Sequence, residues 1–158
     1  MLKDYIDKFK STTISTLDEN AAPFTSYAPF IKNKSKYYVY ISSMAKHYHN
    51  LELNPLASLF FIEDESLCEN IFGRKRVVLQ CKVKKLKRDN EKFESLAKQF
   101  EDKHGSTMKM LKTMKDFSFF EFSPYYGEAI FGFGEAYNIG GENFDELIQR
   151  ENQKGHNK

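Results

Sequence analysis

The chain contains no tryptophan, two cysteines, four prolines and only four arginines in 158 residues. Cys68 and Cys81 stand a dozen residues apart, with no C-x-x-C spacing and no accompanying His-x-x-x-His pair. A disulfide framework and a structural zinc site are therefore disfavoured, and a reducing compartment, the cytoplasm, is the expected location. No segment approaches the roughly 20 consecutive apolar residues of a membrane helix, and Met1–Tyr5 does not open an apolar stretch of secretory type. Charge of one sign is also lacking. The 24 basic and 22 acidic residues leave a net +2, which supplies no general field for nucleic acid or an anionic membrane. Catalytic signatures are missing too: there is no G-x-S-x-G, no H-E-x-x-H and no G-x-x-x-x-G-K-[ST], and Gly132-Phe133-Gly134 lacks a third glycine. Hydrolase and nucleoside-triphosphate chemistry are poor readings.

What the chain does have is aromatic side chains, 15 Phe and 9 Tyr, within 41% hydrophobic and 29% charged residues. Its length suits one domain with a sizeable core. Leu2, Tyr5, Ile6 and Phe9 form a helical stripe over Met1–Ser11. Thr12–Leu17 and Phe24–Ile31, separated by Asp18-Glu19-Asn20, read as a hairpin, and Tyr37–Ile41 extends it to a three-stranded meander. Lys46–Leu53 reads as a short helix stopped by Asn54-Pro55. Ala57–Glu63 is a continuously apolar strand, and Arg74–Leu86 a long one whose basic outer positions suggest a solvated edge carrying Arg88 beyond it. Phe93, Leu96, Ala97 and Phe100 mark an amphipathic helix over Glu91–His104, with a second short one around Met108–Met114. Phe117–Pro124 and Gly127–Ile139 read as closing strands, and Phe144, Leu147 and Ile148 give the last segment a weak helical stripe. The order describes a small antiparallel barrel with helices laid on it.

Three groups of residues could carry chemistry. Ser42, Ser43, Lys46, His47, His49 and Asn50 sit at the opening of the short helix, where free N–H groups and the helix dipole favour an anion; a polar helix face with a serine cap reads equally well. Arg74 and Arg76, two residues apart, project to one side of a strand and could grip carboxylates or a phosphate; exposed loop charge is the alternative. His156 lies in the C-terminal run Gln153-Lys154-Gly155-His156-Asn157-Lys158, where a lone histidine is ordinarily unremarkable.

Taken in order, Thr25–Phe30, Tyr37–Ile41, Ser42–Pro55 and Ala57–Glu63 resemble the FMN-binding split-barrel superfamily, which includes pyridoxamine-phosphate oxidases and haem-degrading proteins of the HugZ type. Arg-x-Arg followed by Val-Val-Leu-Gln, the Phe131–Gly141 stretch and the terminal Lys-Gly-His are similar to the haem branch. The resemblance implies a mostly β fold with α-helices: an antiparallel split barrel over residues 1–141, and a tail, 142–158, that contributes to a haem site. It implies a homodimer with haem at the interface, His156 as axial iron ligand, Arg76 with Arg74 and Lys46 or His47 balancing the haem carboxylates, and Ser43 and Asn50 as further cofactor-binding residues. The activity implied is a haem oxygenase supplied by an external electron donor. The alternatives are an FMN-dependent oxidoreductase that holds the flavin phosphate with Lys46, Ser42, Ser43 and Arg76, and a non-catalytic haem store or chaperone. The chain is also expected to be shorter at its N-terminus than usual members of that branch.

Overall fold

The computed structural model describes residues 1–150. Eight strands form one antiparallel sheet: β1 (Ser11–Leu17), β2 (Pro23–Asn33), β3 (Lys36–Ser42), β4 (Leu56–Ile62), β5 (Arg76–Lys85), β6 (Phe117–Ile130), β7 (Ala136–Gly140) and β8 (Glu146–Gln149). Their order is β3-β2-β1-β4-β5-β6-β7-β8, and a further β3–β6 pairing closes the first six into a barrel. The helices are α1 (Leu2–Asp7), α2 (Lys46–Leu53), α3 (Glu91–His104) and α4 (Thr107–Thr113).

Closure rests on the length of β6. Its first half pairs with β3, from Phe117↔Ser42 to Phe122↔Tyr37. Its far end pairs with β7, while β5 accompanies it from Phe120 to Ile130. The sequence suggested two strands broken near Pro124, but the ladder continues through that point. The register shifts between Gln80 and Cys81, leaving Tyr125 unmatched between Pro124 and Tyr126. A bulge absorbs the residue that cannot donate to a ladder.

The aromatic load divides between two cores. Ile14, Phe30, Tyr37, Val39, Leu59, Phe61, Val77, Leu79, Phe120 and Phe122 fill the barrel. Ile31, Tyr38, Tyr40 and Phe119 face outward and are covered by Phe93, Leu96 and Phe100 of α3 and Met108 of α4. This two-sided burial explains why β3 is apolar at successive positions rather than alternating. Asn90 starts α3 by accepting from Phe93 N–H at 2.8 Å, and Gly105, at φ 95°, ends it.

Three expectations are corrected here. β5 is no edge, because β4 and β6 both pair with it. Arg88 is not exposed charge: it is half-buried, donating to Tyr40 Oη (2.8 Å), Phe117 O (2.6 Å) and Lys112 O (2.9 Å), with its guanidinium 4.6 Å from the Phe93 ring centroid. The Phe144–Ile148 stripe is no helix. Leu147 and Ile148 lie in β8, where they pair in the register Ile139↔Leu147 and Asn138↔Ile148. The tail residues 151–158 lie outside the described residues.

Candidate functional site

At one end of the barrel, α1 and the β4–β5 connection shape the surroundings of the two arginines. Tyr5 donates to Lys75 O at 2.9 Å, and Lys75 N–H donates to Glu63 Oε1 at 2.9 Å, so the chain entering β5 is pinned from two sides. Burial pushes the Tyr5 hydroxyl up to about 12, which keeps it a donor. Arg74 Nε donates to Glu63 O at 2.8 Å, and Arg76 Nη1 donates to Arg74 O at 2.8 Å. Arg74 thus sits in the turn, and Arg76 is the first residue of the strand. Neither guanidinium forms an ion pair among the described residues. Their remaining N–H groups are available to a ligand.

Register places Arg76 on the outer face of the sheet. It stands opposite Ile62 on β4 and Ile130 on β6, and Ile130 stands opposite Ala136 on β7. The next row on that face runs Thr13, Phe60, Val78, Glu128, Asn138, Ile148. Ile62, Phe60, Val78 and Ile130 are only half-buried, while Tyr27 and Ile148 are exposed. A weakly covered sheet face with Arg76 beside these apolar side chains, flanked by Glu128 and Asn138, which Arg150 engages by an ion pair and a 2.9 Å hydrogen bond, suits a flat ligand carrying anionic groups, or a second protomer.

The α2 end is organised separately. Its N-cap is Ala45, with no side-chain cap; the expected serine cap instead serves a turn, Ser42 Oγ accepting from Met44 N–H at 3.1 Å. Ser42 Oγ donates to Asp116 Oδ2 at 2.6 Å, and Ser43 N–H to Asp116 O at 2.8 Å. His49 Nε2 lies 2.6 Å from Ser43 O. His47 is buried, with Nδ1 2.7 Å from Ser26 Oγ, and burial lowers its basicity below that of an ordinary histidine. Asn50 is buried too and donates to Thr16 Oγ1 at 3.0 Å. Lys46 is exposed, its Nζ 3.7 Å from Asp18 Oδ2 and 5.0 Å from the Phe24 ring centroid. Asn50 therefore works as a tether of α2 to β1, whereas Lys46 and His47 stand at the lip.

The fold does not join the two groups within one protomer. Thr16, which Asn50 contacts, lies five residues along β1 from Ser11, the position level with Ile62 and Arg76, a separation of about 16 Å at strand spacing. Asp116, Ser26 and Asp18 were not singled out in the sequence. Asp116 follows Lys115 with no motif around it, and only the β3–β6 closure brings it to Ser42. His156 lies outside the described residues.

An antiparallel barrel closed by β3 and β6, with a sheet extension and an exposed arginine-bearing face, defines the class, and comparison with known proteins defines the family. The description for pyridoxamine 5'-phosphate oxidase matches residues 1–131. The chain is 33% identical over 157 residues, 99% of its length and 88% of the relative, to the heme oxygenase HutZ of Vibrio cholerae serotype O1. The crystal structure of HutZ, there called a heme storage protein, superposes with a TM-score of 0.74 at 33% identity, covering 78% of this chain and 87% of that one. Campylobacter jejuni ChuZ gives a TM-score of 0.84 at 30% identity, covering 94% of this chain and 60% of ChuZ. The chain belongs to the HugZ-type branch of the pyridoxamine 5'-phosphate oxidase-like split-barrel superfamily.

Proposed function

We propose that the protein binds haem on the outer sheet face of a homodimer and is a haem oxygenase that releases iron from it. The reading rests on one observation above all, the register of Arg76 with the root of the C-terminal tail. Arg76, Ile130 and Ala136 share a row, and Arg150 N–H donates to Ala136 O at 3.3 Å, so the chain leaves β8 at the level of Arg76. Three inter-strand spacings separate β8 from β5, about 14 Å, and six residues of extended chain span up to about 20 Å. His156 is thus within reach of the face on which Arg76 sits.

Each residue then has a task. Arg76, and Arg74 beside it, hold the carboxylates by charge-assisted hydrogen bonds. Ile62, Phe60, Val78 and Ile130 give the ring an apolar surface that displaces water. His156 supplies a neutral imidazole to the iron. Lys46, whose Nζ lies 3.7 Å from Asp18 Oδ2 beyond the end of β1, and His47, held at Ser26 level with Ile14, stand about 10 Å or more along the barrel from Arg76, so in this reading they serve the site from the second protomer. Bound haem, given dioxygen and electrons from an external donor, is itself the group oxidised: the ring opens at a meso carbon, which leaves as carbon monoxide, yielding a biliverdin-type product and free iron. Cys68 and Cys81 both remain free thiols, in keeping with cytoplasmic chemistry.

The flavin reading has the family as support but a local obstacle. Ser42 already donates to Asp116, and that carboxylate would face the phosphate that Ser42, Ser43 and Lys46 were to hold. Adding haem and then a reductant separates the readings. An oxygenase gives a Soret band that decays into biliverdin absorbance with carbon monoxide; a store gives a Soret band that persists after reduction; a flavoprotein binds FMN and gives no Soret shift. Sedimentation at micromolar protein gives a dimer, and a strictly monomeric species would contradict the shared site.

A further inference from the structure

Four large apolar side chains stand out in solvent at the Arg76 end: Leu67 is 75% exposed, Ile71 55%, Phe72 81% and Phe133 80%. They belong to two turns, the β4–β5 connection and the β6–β7 turn, that are locked together. A Cβ placed on Gly73 would lie 2.5 Å from Phe133 N, so only glycine permits this approach. Asp64 Oδ1 accepts from Ser66 N–H at 2.8 Å, and Asn70 Oδ1 accepts from Phe72 N–H at 3.0 Å, which fixes the connection internally. Between the turns lies a cavity of about 200 Å³ lined by Leu67, Gly73, Phe131 and Phe133, with Glu63, Glu69 and Lys75 at its margin. Arg74 lies between its lining residues Gly73 and Lys75 in the chain, and Arg76 follows on the sheet face.

We propose that this pre-formed rim, chiefly Phe72 and Phe133, is the part of the site that grips the apolar edge of the porphyrin while Arg76 holds its carboxylates. The proposal rests on the haem reading above and adds a binding surface to it. Charge decides the occupant. Glu63 and Glu69 line the cavity and repel an anion there, whereas Arg76 lies beyond it on the sheet face, so an amphipathic disc is oriented with its apolar edge on the rim and its carboxylates toward the guanidinium. Contiguous exposed apolar surface of this kind in a globular domain commonly marks a contact.

The test compares two porphyrins on three proteins. Ferric haem and its dimethyl ester, which keeps the ring but lacks free carboxylates, are titrated into the wild type, Arg76→Ala and the double variant Phe72→Ser/Phe133→Ser, with circular dichroism as the folding check and sedimentation for the oligomeric state. The rim predicts that the double variant loses tenfold or more in affinity for both porphyrins, whereas Arg76→Ala loses affinity for haem and leaves the ester unchanged. Wild-type affinity of the double variant for both ligands overturns the rim and leaves the haem reading standing. Dissociation of the double variant to monomers, with ligand affinity following protein concentration, overturns it in favour of a second copy of the chain as occupant. Absence of haem binding by the wild type overturns the haem reading, and the rim with it.

Discussion

Arg88 and Tyr40 are joined at 2.8 Å on the outside of the barrel, and the same guanidinium closes on Phe117 O and Lys112 O. One side chain therefore ties β3, β6 and α4 together at the point where α3 begins. Arg88→Ala is expected to lower stability by about 2–3 kcal/mol, since charge-assisted bonds are lost and carbonyls are left unpaired. Thermal unfolding checks this: a midpoint lower by roughly 5–10 °C is expected, and an unchanged one would mean the clamp contributes nothing.

Glu121 makes a second tie. It is 5% exposed and accepts from Lys92 (2.7 Å), Lys36 (3.2 Å) and Tyr38 (3.0 Å). Burial pushes its carboxyl upward, but these donors outweigh burial and hold it below the ordinary value of 4.5. A depressed carboxylate stabilises the fold above that ordinary value, and the contribution is lost as pH falls through the lower folded-state value. Glu121→Gln should therefore cost about 1–3 kcal/mol at pH 7, with the gap to wild type closing below pH 4.5 in denaturant titrations. A gap that stays constant to low pH would refute the pairing.

His47 and His104 carry the opposite kind of acid sensitivity. Burial lowers both below the ordinary histidine value of 6.5, although His104, 2.9 Å from Phe30 O, gains a little back from that bond. The unfolded chain binds protons before the folded one does, so stability is full above 6.5 and falls as pH drops below it. His104→Gln should flatten the stability curve between pH 7 and 5 without altering haem binding, because His104 ends α3 against Phe30 of β2 and belongs to neither the α2 lip nor the Arg76 face. His47→Gln should flatten it likewise and also weaken the haem complex. Unchanged slopes in both variants would show that neither ring resists protonation.

These ties show which parts of the molecule its sequence reveals. Periodicity exposes β1 and α3, because a half-buried strand or helix writes its buried face into the apolar pattern, and the short continuous apolar runs mark β3 and β4. It does not reveal that Glu121, inside Phe119-Phe120-Glu121-Phe122, is buried, since its partners Lys36 and Lys92 come from remote elements. Arg88 looked like one more charge after Lys84, Lys85 and Lys87 for the same reason. The Phe144–Ile148 stripe fits a helix and a strand equally well over so few residues, and only pairing with β7 decides. At the site, Arg74, Arg76, Lys46 and His47 are legible as residue types, but the separation of about 10 Å or more along the barrel between the arginines and the α2 pair is not. Asp116 was invisible because barrel closure alone brings it to Ser42.

Arg76 is expected to hold haem more strongly than its neighbours on the same strand. Arg76→Ala should weaken binding by about 1.5–3 kcal/mol, roughly tenfold to a hundredfold in Kd. Lys84→Ala, exposed near the far end of β5, is the fitting comparison and should change little. Equal losses in the two variants, measured by haem titration, would remove Arg76 from the carboxylate site.

The central claim is that His156 brings the iron of a haem held by Arg76 into productive ligation. Its most direct measurement is a single turnover of the ferric haem complex with added reductant, followed by the Soret band and by carbon monoxide release, in the wild type and in His156→Ala. The wild type should lose its Soret band to a biliverdin-type product with carbon monoxide evolved. His156→Ala should remain folded, show a displaced Soret band and form no ring-opened product. An identical Soret position and an identical rate of product formation in the variant would contradict the account.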